Sequence, residues 1–444
     1  MKLRNLLYGS MLLIAASSCE QKDEDLVFGD TPDVRMNAKI DSINTALISA
    51  EHGWKASVGT GLKGGYGFYF KFNNQQVVEM VGDLTVESAS KLVASNYRVK
   101  QDNGATLIFD TYNYISMLND PNSSVFNGTV REGLRSDLEY RFKRSNGDTI
   151  VFIGKRYANE LLMVKATAEE KAKYNSSTYL EGIQKTANFF TKNANPYIMF
   201  PEGGKDVQMG IAVSTNNKKI EFASLENDGS TSAASGKFAY TLDGAEIIDG
   251  GTSYRNLLLR YLRWESDVLY MVDYAGNKYE VKNSLAPILP LYKLIGSKYA
   301  GFRSPYLQYF PGTSPDGLEI LKRYHEGLGN RATGYTFNSG YMDLGFDTRN
   351  KRVTLNGFSS QNGGSSGWIT SIVYNYELDE VTGIYKLTLR DPASGGYTSV
   401  ILDKMHAFLT TSRIKFDYHV ENGVTYGKLI GVDQPNVEIT FNLR

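Results

Sequence analysis

Most of the chain alternates apolar and polar residues with a period of two, the pattern of strands that bury one face. The clearest case closes the sequence. Val437, Ile439, Phe441 and Leu443 fall on one side, and Glu438, Thr440 and Asn442 on the other. Stretches 66–71, 106–109, 140–142, 257–262, 374–378 and 385–389 read the same way, with Gly- and Asn-rich punctuation at hairpin intervals. Helical spacing is confined to a few places. Thr31-Pro32-Asp33 offers a capping hydroxyl, a proline for the first turn and an acid near the positive end of the helix dipole. Met36, Ile40, Ile43 and Leu47 then share one face. Further helices are predicted over 180–191, where Leu180, Ile183, Ala187 and Phe190 align, over 316–325, and over 404–409. The fold class is mainly β: antiparallel hairpin-rich units, barrel- or sandwich-like, with a few short helices.

One hairpin design occurs three times. Phe70-Lys71-Phe72 passes through Asn73-Asn74-Gln75 to Val77-Val78, and Ile211-Ala212-Val213 through Asn216-Asn217-Lys218 to Ile220-Glu221-Phe222. Leu344-Gly345-Phe346 passes through Arg349-Asn350-Lys351 to Val353-Thr354-Leu355. The asparagines are expected to take the positive φ of a tight turn. Each copy marks one β unit. Pro-bearing breaks at 193–196 and 285–290 then separate an N-terminal β-rich domain with a leading helix (31–194), a middle β unit (195–290) and a C-terminal β domain (291–444).

The first 30 residues follow a different logic. Lys2 and Arg4 precede an apolar run over 6–16, too short for the roughly 20 residues that span a bilayer, so this run reads as the core of a signal peptide (1–18). Ala16-Ser17-Ser18 leads into Cys19, the single cysteine of the chain. A thiolate there can accept a diacylglyceryl group, and small residues before it suit cleavage, so Cys19 is expected to carry the lipid (palmitate among its chains). Each buried methylene of such a chain contributes about 0.8 kcal/mol, and several chains hold a protein firmly. The tether over 19–30 is polar and acidic, and Lys22, Asp23, Glu24 and Asp25 resemble the export signal of Bacteroidetes surface lipoproteins. That likeness implies a body anchored to the outer membrane and facing outward.

Composition narrows the classes. Lys plus Arg and Asp plus Glu are both 48, which argues against nucleic acid as a partner. Aromatic residues make up 12% of the 444 residues, enough ring surface for large cores. One cysteine and four histidines leave little for a metal site, and no cofactor is indicated. Three catalytic patterns fail their context. Gly59-Thr60-Gly61-Leu62-Lys63-Gly64 has the glycine spacing of a dinucleotide loop but runs into a strand where a helix is needed. Gly363-Gly364-Ser365-Ser366-Gly367 has the nucleophile-elbow spacing but lies in a polar loop before a strand. His325-Glu326 begins a zinc-protease helix, yet Gly329 stands where the second His belongs. His52, His406 and His419 are scattered and read as helix-end or strand-surface residues. A carboxylate pair assembled across strands, from Asp137, Glu139 or Asp343, is the one hydrolytic arrangement left open. Aromatic residues remain as candidates: Tyr306 and Tyr309 in the Pro-bracketed loop 304–312, and Trp368 after a Gly/Ser loop. Such rings can stack on sugar faces or grip peptides, or plug the ends of β cores. Trp54 and Trp264 read as core.

The first domain resembles a family of Bacteroidetes lipoproteins, domain-of-unknown-function family 4302. The likeness is carried by His52-Gly53-Trp54-Lys55-Ala56, Gly67-Phe68-Tyr69-Phe70-Lys71-Phe72, Ser95-Asn96-Tyr97-Arg98-Val99-Lys100, Leu107-Ile108-Phe109-Asp110-Thr111-Tyr112-Asn113-Tyr114, Asn119-Asp120-Pro121 and Leu134-Arg135-Ser136-Asp137-Leu138-Glu139-Tyr140. It covers 30–165, with a looser fit around Gly427-Lys428-Leu429 and the closing strand. It implies partnership with a starch-utilisation-type outer-membrane transporter and its binding lipoprotein. It transfers no catalytic residue. Asp110, Asp120 and Asp137 are expected to hold backbone amides rather than ligand. The expected function is a non-catalytic accessory or ligand-binding component of a nutrient (glycan or peptide) uptake complex. A hydrolase acting on a surface polymer and an adhesin or structural surface protein are the alternatives.

Overall fold

The computed structural model describes residues 31–329, 337–361, 363–365, 367–393 and 400–444. Cys19 and the Lys22, Asp23, Glu24, Asp25 segment lie outside the described residues. The chain divides into two compact units: the residues up to Leu62 with Tyr66–Ser177, and Lys63–Gly65 with Thr178–Arg444.

In the first unit, eight strands from Trp54–Gly59 to Glu160–Lys165 follow one another in order. The last pairs antiparallel with the first, Ala56 opposite Met163, so the sheet closes into a barrel. An eight-stranded barrel has an interior about wide enough for side chains to fill. Rings fill this one. Phe70 meets Phe109 with ring centres 5.6 Å apart, and Phe72 meets Tyr97 edge-on at 4.7 Å. Burying each such side chain contributes about 1.5–3 kcal/mol. The helix Pro32–Ser49 starts where expected, its Thr31 hydroxyl accepting the Val34 N–H at 3.4 Å. It buries Ile43 and Leu47, and the Leu47 carbonyl accepts the Trp54 indole N–H at 2.9 Å.

The middle sheet is ten-stranded, and its order begins at Lys278–Glu280 and ends at Lys282–Asn283. Val281 alone separates those two pieces, so the ends of the sheet meet and it curls into a third barrel-like unit. Val281 is buried at that seam, its N–H donating to the Leu269 carbonyl at 2.8 Å. The helix Thr178–Lys192 covers this sheet. The Trp264 indole donates to the Thr186 hydroxyl at 2.9 Å, and Phe189 meets Trp264 edge-on at 5.7 Å. Gly182 permits the approach, since a Cβ there would sit 2.6 Å from the Leu242 carbonyl oxygen. The boundary drawn at 194 therefore moves: this helix belongs with the middle unit, and the first unit ends at Ser177.

Eight more strands, Gly301–Pro305 to Glu438–Leu443, close the second barrel, with Phe302 opposite Leu443. Phe302 stacks on Phe416 at 4.4 Å in its core. Tight hairpins such as Asp347–Arg352 and Glu421–Val424 turn the chain at one end. At the other end two helices, Pro315–Gly329 and Asp403–Thr411, occupy the connections and cap the barrel. Tyr324 reaches from the first of these to the Phe358 carbonyl at 2.9 Å. It passes over Gly357, where a Cβ would lie 2.8 Å from its ring.

The three recurrent hairpins are present, each joining the second and third strands of its unit. Their chemistry differs from the expectation. The positive φ falls on the residue just before or at the return strand, Gln76, Lys218 and Lys351, and not on the asparagines. Asn73 instead accepts the N–H groups of Gln75 and Val77 at 2.9 and 3.0 Å, and Asn350 bonds Asp347. Asparagine works here through its side-chain amide.

Candidate functional site

The helix-capped mouth of the second barrel gathers the aromatic candidates. Strand Gly301–Pro305 ends in the loop that carries Tyr306 and Tyr309 before helix Pro315–Gly329 begins. Ser314 caps that helix: its hydroxyl accepts the Gly317 N–H at 3.1 Å and donates to the Asn436 carbonyl at 2.7 Å. The cap ties the loop's far end to the start of the neighbouring strand Glu438–Leu443.

His325 fixes the middle of the loop. It is fully buried on the helix face it shares with Leu321, Tyr324 and Leu328. Its Nδ1 accepts the Leu307 N–H at 2.6 Å, and its Nε2 lies 3.3 Å from the Ser304 hydroxyl. Leu307 sits at a φ of +54°, a backbone conformation that needs such support. Burial pulls the His325 pKa down to about 4, so the ring is neutral at pH 7. With Nδ1 accepting, the proton of the neutral ring sits on Nε2 and points to Ser304. A serine nucleophile needs the reverse: an unprotonated nitrogen facing the hydroxyl and a carboxylate behind the other. The Ser304–His325 contact is thus a loop pin with the wrong tautomer for general-base work.

Around this pin the rings are arranged in sequence. Tyr306 lies parallel to the His325 ring, centres 6.0 Å apart, and Tyr309 leans on it at 5.7 Å. The Tyr306 hydroxyl is 3.5 Å from the Phe337 carbonyl, and Phe337 meets Trp368 edge-on at 6.0 Å. Trp368 is 52% exposed and Ile369, next in sequence, 57%, while Leu307 on the pinned loop is 51% exposed. Tyr306 is half-buried and supports; Tyr309 and Trp368 reach solvent. Neutral polar groups accompany them. The Asn338 side chain accepts the Gly363 N–H at 3.1 Å, and the Ser360 hydroxyl accepts that of Gly364 at 3.0 Å. Two ion pairs lie on the capping helices, Arg323 with Asp403 at 2.9 Å and Lys404 with Glu319 at 3.7 Å, while the exposed Glu326 carboxylate lies near enough to Tyr309 to help raise its pKa, after burial. The mouth is therefore a pinned surface of open rings, with neutral amide and hydroxyl groups and one carboxylate beside them.

The other sequence candidates fall elsewhere. Glycines 59, 61 and 64 connect strand Trp54–Gly59 to strand Gly65–Phe72, and Gly363, Ser365 and Gly367 lie in the turn between Arg352–Ser360 and Gly367–Asp379. Both are hairpin loops. Asp137 accepts the N–H groups of Arg156 and Tyr157 at 2.7 and 3.0 Å, while Glu139 pairs with Lys155 at 2.7 Å. Asp120 accepts the Asn122 N–H at 2.8 Å and the Tyr112 hydroxyl at 2.6 Å, and Asp110 pairs with Arg98 at 3.0 Å. Asp343 is buried on the second barrel under Arg303 (2.7 Å) and Arg444 (3.2 Å). These carboxylates are occupied as anchors. Among the described residues, no three His, Cys, Asp or Glu side chains come together as a metal site requires. Sequence reading missed His325 as the pin and Phe337 and Ile369 as neighbours. The available signal for His325 was its spacing of four from Leu321 and three from Leu328, which places it on the apolar face.

Residues 24–264 match the protein family described as Domain of unknown function (DUF4302). No curated protein matches the chain. Among solved structures, a tryptophan-to-alanine mutant of the vaccine antigen transferrin binding protein B from Haemophilus parasuis Hp5 aligns over 87% of this chain and 73% of its own, at 9% identity. The TM-score of that alignment is 0.13, too low to carry weight for fold or function.

Proposed function

The chain belongs to the DUF4302 family, and from that premise we propose that it is a surface-exposed outer-membrane lipoprotein that captures glycan without chemistry and serves a nutrient-uptake complex. One observation carries the binding role: Tyr309, on a loop locked by His325 and a helix cap, and Trp368, on the strand Gly367–Asp379, present open ring surface at one barrel mouth. Rings stack on the apolar faces of sugars, and a rigid platform loses little entropy on binding. Neutral Asn338 and Ser360 near the Trp368 strand can exchange hydrogen bonds with sugar hydroxyls. The Ser304–His325 tautomer and the anchored carboxylates speak for binding over hydrolysis. Anchorage rests on Cys19 and the acidic tether, and the partner in this reading is a starch-utilisation-type transporter with its binding lipoprotein.

A glycan array probed with the purified chain lacking its lipid tests the capture role. Retention of a neutral polysaccharide, lost in Trp368→Ala with Tyr309→Ala, supports it; retention of peptides alone, or of nothing, removes it. Labelling with a palmitate analogue and co-purification from solubilised outer membrane test the anchor and the partner. An unlabelled protein, or a Cys19→Ser chain that fractionates unchanged, defeats the anchor.

A further inference from the structure

We propose that a cleft between the middle barrel and the second barrel is a separate binding site for a short peptide with both termini free. The cleft has a volume of about 570 Å³, inside the roughly 300–1,000 Å³ typical of small-molecule sites. Its floor is the outward face of strands Lys205–Ser214 and Lys219–Leu225, where Gly210 stands opposite Ala223 and Ala212 opposite Glu221. Three such small side chains leave the space open. Ile288 and Leu289 of the Pro-bearing connector form an apolar wall, and Lys298 lies on the second-barrel side.

The walls are held in place. Ser284 N–H donates to the Asn195 carbonyl at 2.9 Å, and Asn195 N–H donates to the Asn283 side chain at 2.9 Å. The Tyr418 hydroxyl donates to the Leu289 carbonyl at 3.1 Å. Both connectors are thereby fastened before any ligand arrives, which lowers the ordering cost of binding.

Two charges line this cleft outside any ion pair among the described residues, Lys298 and Glu221. Among the described residues, neither the Lys298 ammonium nor the Glu221 carboxylate makes an ion pair or a side-chain hydrogen bond, and they do not pair with each other. The Lys298 ammonium lies over the Tyr299 ring, 5.5 Å from its centre. Lysines close by behave differently: Lys293 holds Glu380 at 2.7 Å, and Lys428 holds Glu438 at 2.8 Å. The cleft walls also desolvate Lys298 and lower its pKa, so a carboxylate arriving there restores what hydration lost. A simple organic anion would satisfy Lys298 but meet Glu221. A neutral sugar would leave both charges unmatched. A zwitterion with an apolar body satisfies both: terminal carboxylate on Lys298, terminal ammonium on Glu221, side chains against Ile288 and Leu289.

The test is calorimetric titration of the full folded chain with the tripeptide Ala-Leu-Ala in three forms: free, N-acetylated and C-amidated. Saturable binding of the free form is expected, with each blocking group weakening it by about tenfold or more. Glu221→Gln should erase the penalty for acetylation, and Lys298→Met that for amidation. Ala212→Trp, which fills the floor, should abolish binding of all three while circular dichroism and melting stay unchanged. No saturable binding of the free peptide, equal binding of the blocked forms, or full binding by a folded Ala212→Trp chain would each overturn the proposal. None of these outcomes bears on the barrel mouth.

Discussion

The two closed barrels secure their loops with opposite chemistry. In the first, the Asp137 carboxylate accepts the N–H groups of Arg156 and Tyr157 and the Asn159 side chain. In the second, the neutral His325 ring accepts the Leu307 N–H. A carboxylate acceptor strengthens its bonds by being charged, while an imidazole acceptor exists only when uncharged. The ends also present different surfaces. The first barrel exposes Val86, Val130 and Tyr112, and the Tyr112 hydroxyl is already committed to Asp120. The second exposes Tyr309 and Trp368. Equal strand count and closure have thus produced one barrel end fastened by a carboxylate and one built as a ring platform pinned by a neutral imidazole.

The largest loss should come from breaking the ionic anchor. Asp137→Ala leaves the part-buried Arg156 and Tyr157 backbone donors without their acceptor and the Asn159 amide with only the Arg135 carbonyl, and should cost roughly 3 kcal/mol in denaturant unfolding of the first unit. Next is the imidazole pin. The folded His325 pKa of about 4 lies below the usual 6.5, so the unfolded chain binds a proton first as pH falls. Its contribution is therefore complete above about pH 6.5 and lost progressively down to about pH 4. That lost stability amounts to about 3 kcal/mol. His325→Leu should lower stability by about 2 kcal/mol at pH 7 and flatten the acid dependence over that window. An unchanged acid slope in unfolding of the second unit would sever the pin from the mouth. Tyr324→Phe removes one hydrogen bond to Phe358 and should cost about 1 kcal/mol by the same measurement. Trp368→Ala should shift stability by less than about 0.5 kcal/mol, since half the side chain is already in water. Its consequence belongs to binding.

Much of the β architecture was legible because alternation reports burial locally. The helix at Thr31-Pro32-Asp33 and the strands around Phe70, Tyr140 and Ile439 needed no distant information. Ser314-Pro315-Asp316 repeats the same capping logic, and the helix it starts runs on to Gly329. Thr167 and Glu170 form a capping box that begins the helix Ala168–Tyr174, a signal present in the sequence and passed over. Other features depended on long-range pairing. Nothing local says that Lys278–Glu280 and Lys282–Asn283 close a sheet around Val281, or that helix Thr178–Lys192 is drawn to Trp264 instead of to the unit before it. The turn chemistry misled for a physical reason: the left-handed position lies at Gln76, Lys218 and Lys351, where residue type gives little hint. At the mouth, the rings were visible but their support was not. His325 gains its meaning only when helix Pro315–Gly329 folds across the barrel and brings it to Leu307.

Collisional quenching of tryptophan fluorescence by iodide tests the platform most directly. Trp54 is buried, Trp264 is partly buried, and Trp368 is half exposed, so the quenchable fraction should belong to Trp368. Saturation with a neutral glycan retained on the array should shield that fraction, and Trp368→Phe should both abolish it and weaken binding about tenfold. A glycan that binds while Trp368 stays fully open to iodide, with affinity unchanged in Trp368→Phe, would contradict the assignment of the second barrel's mouth as the capture site.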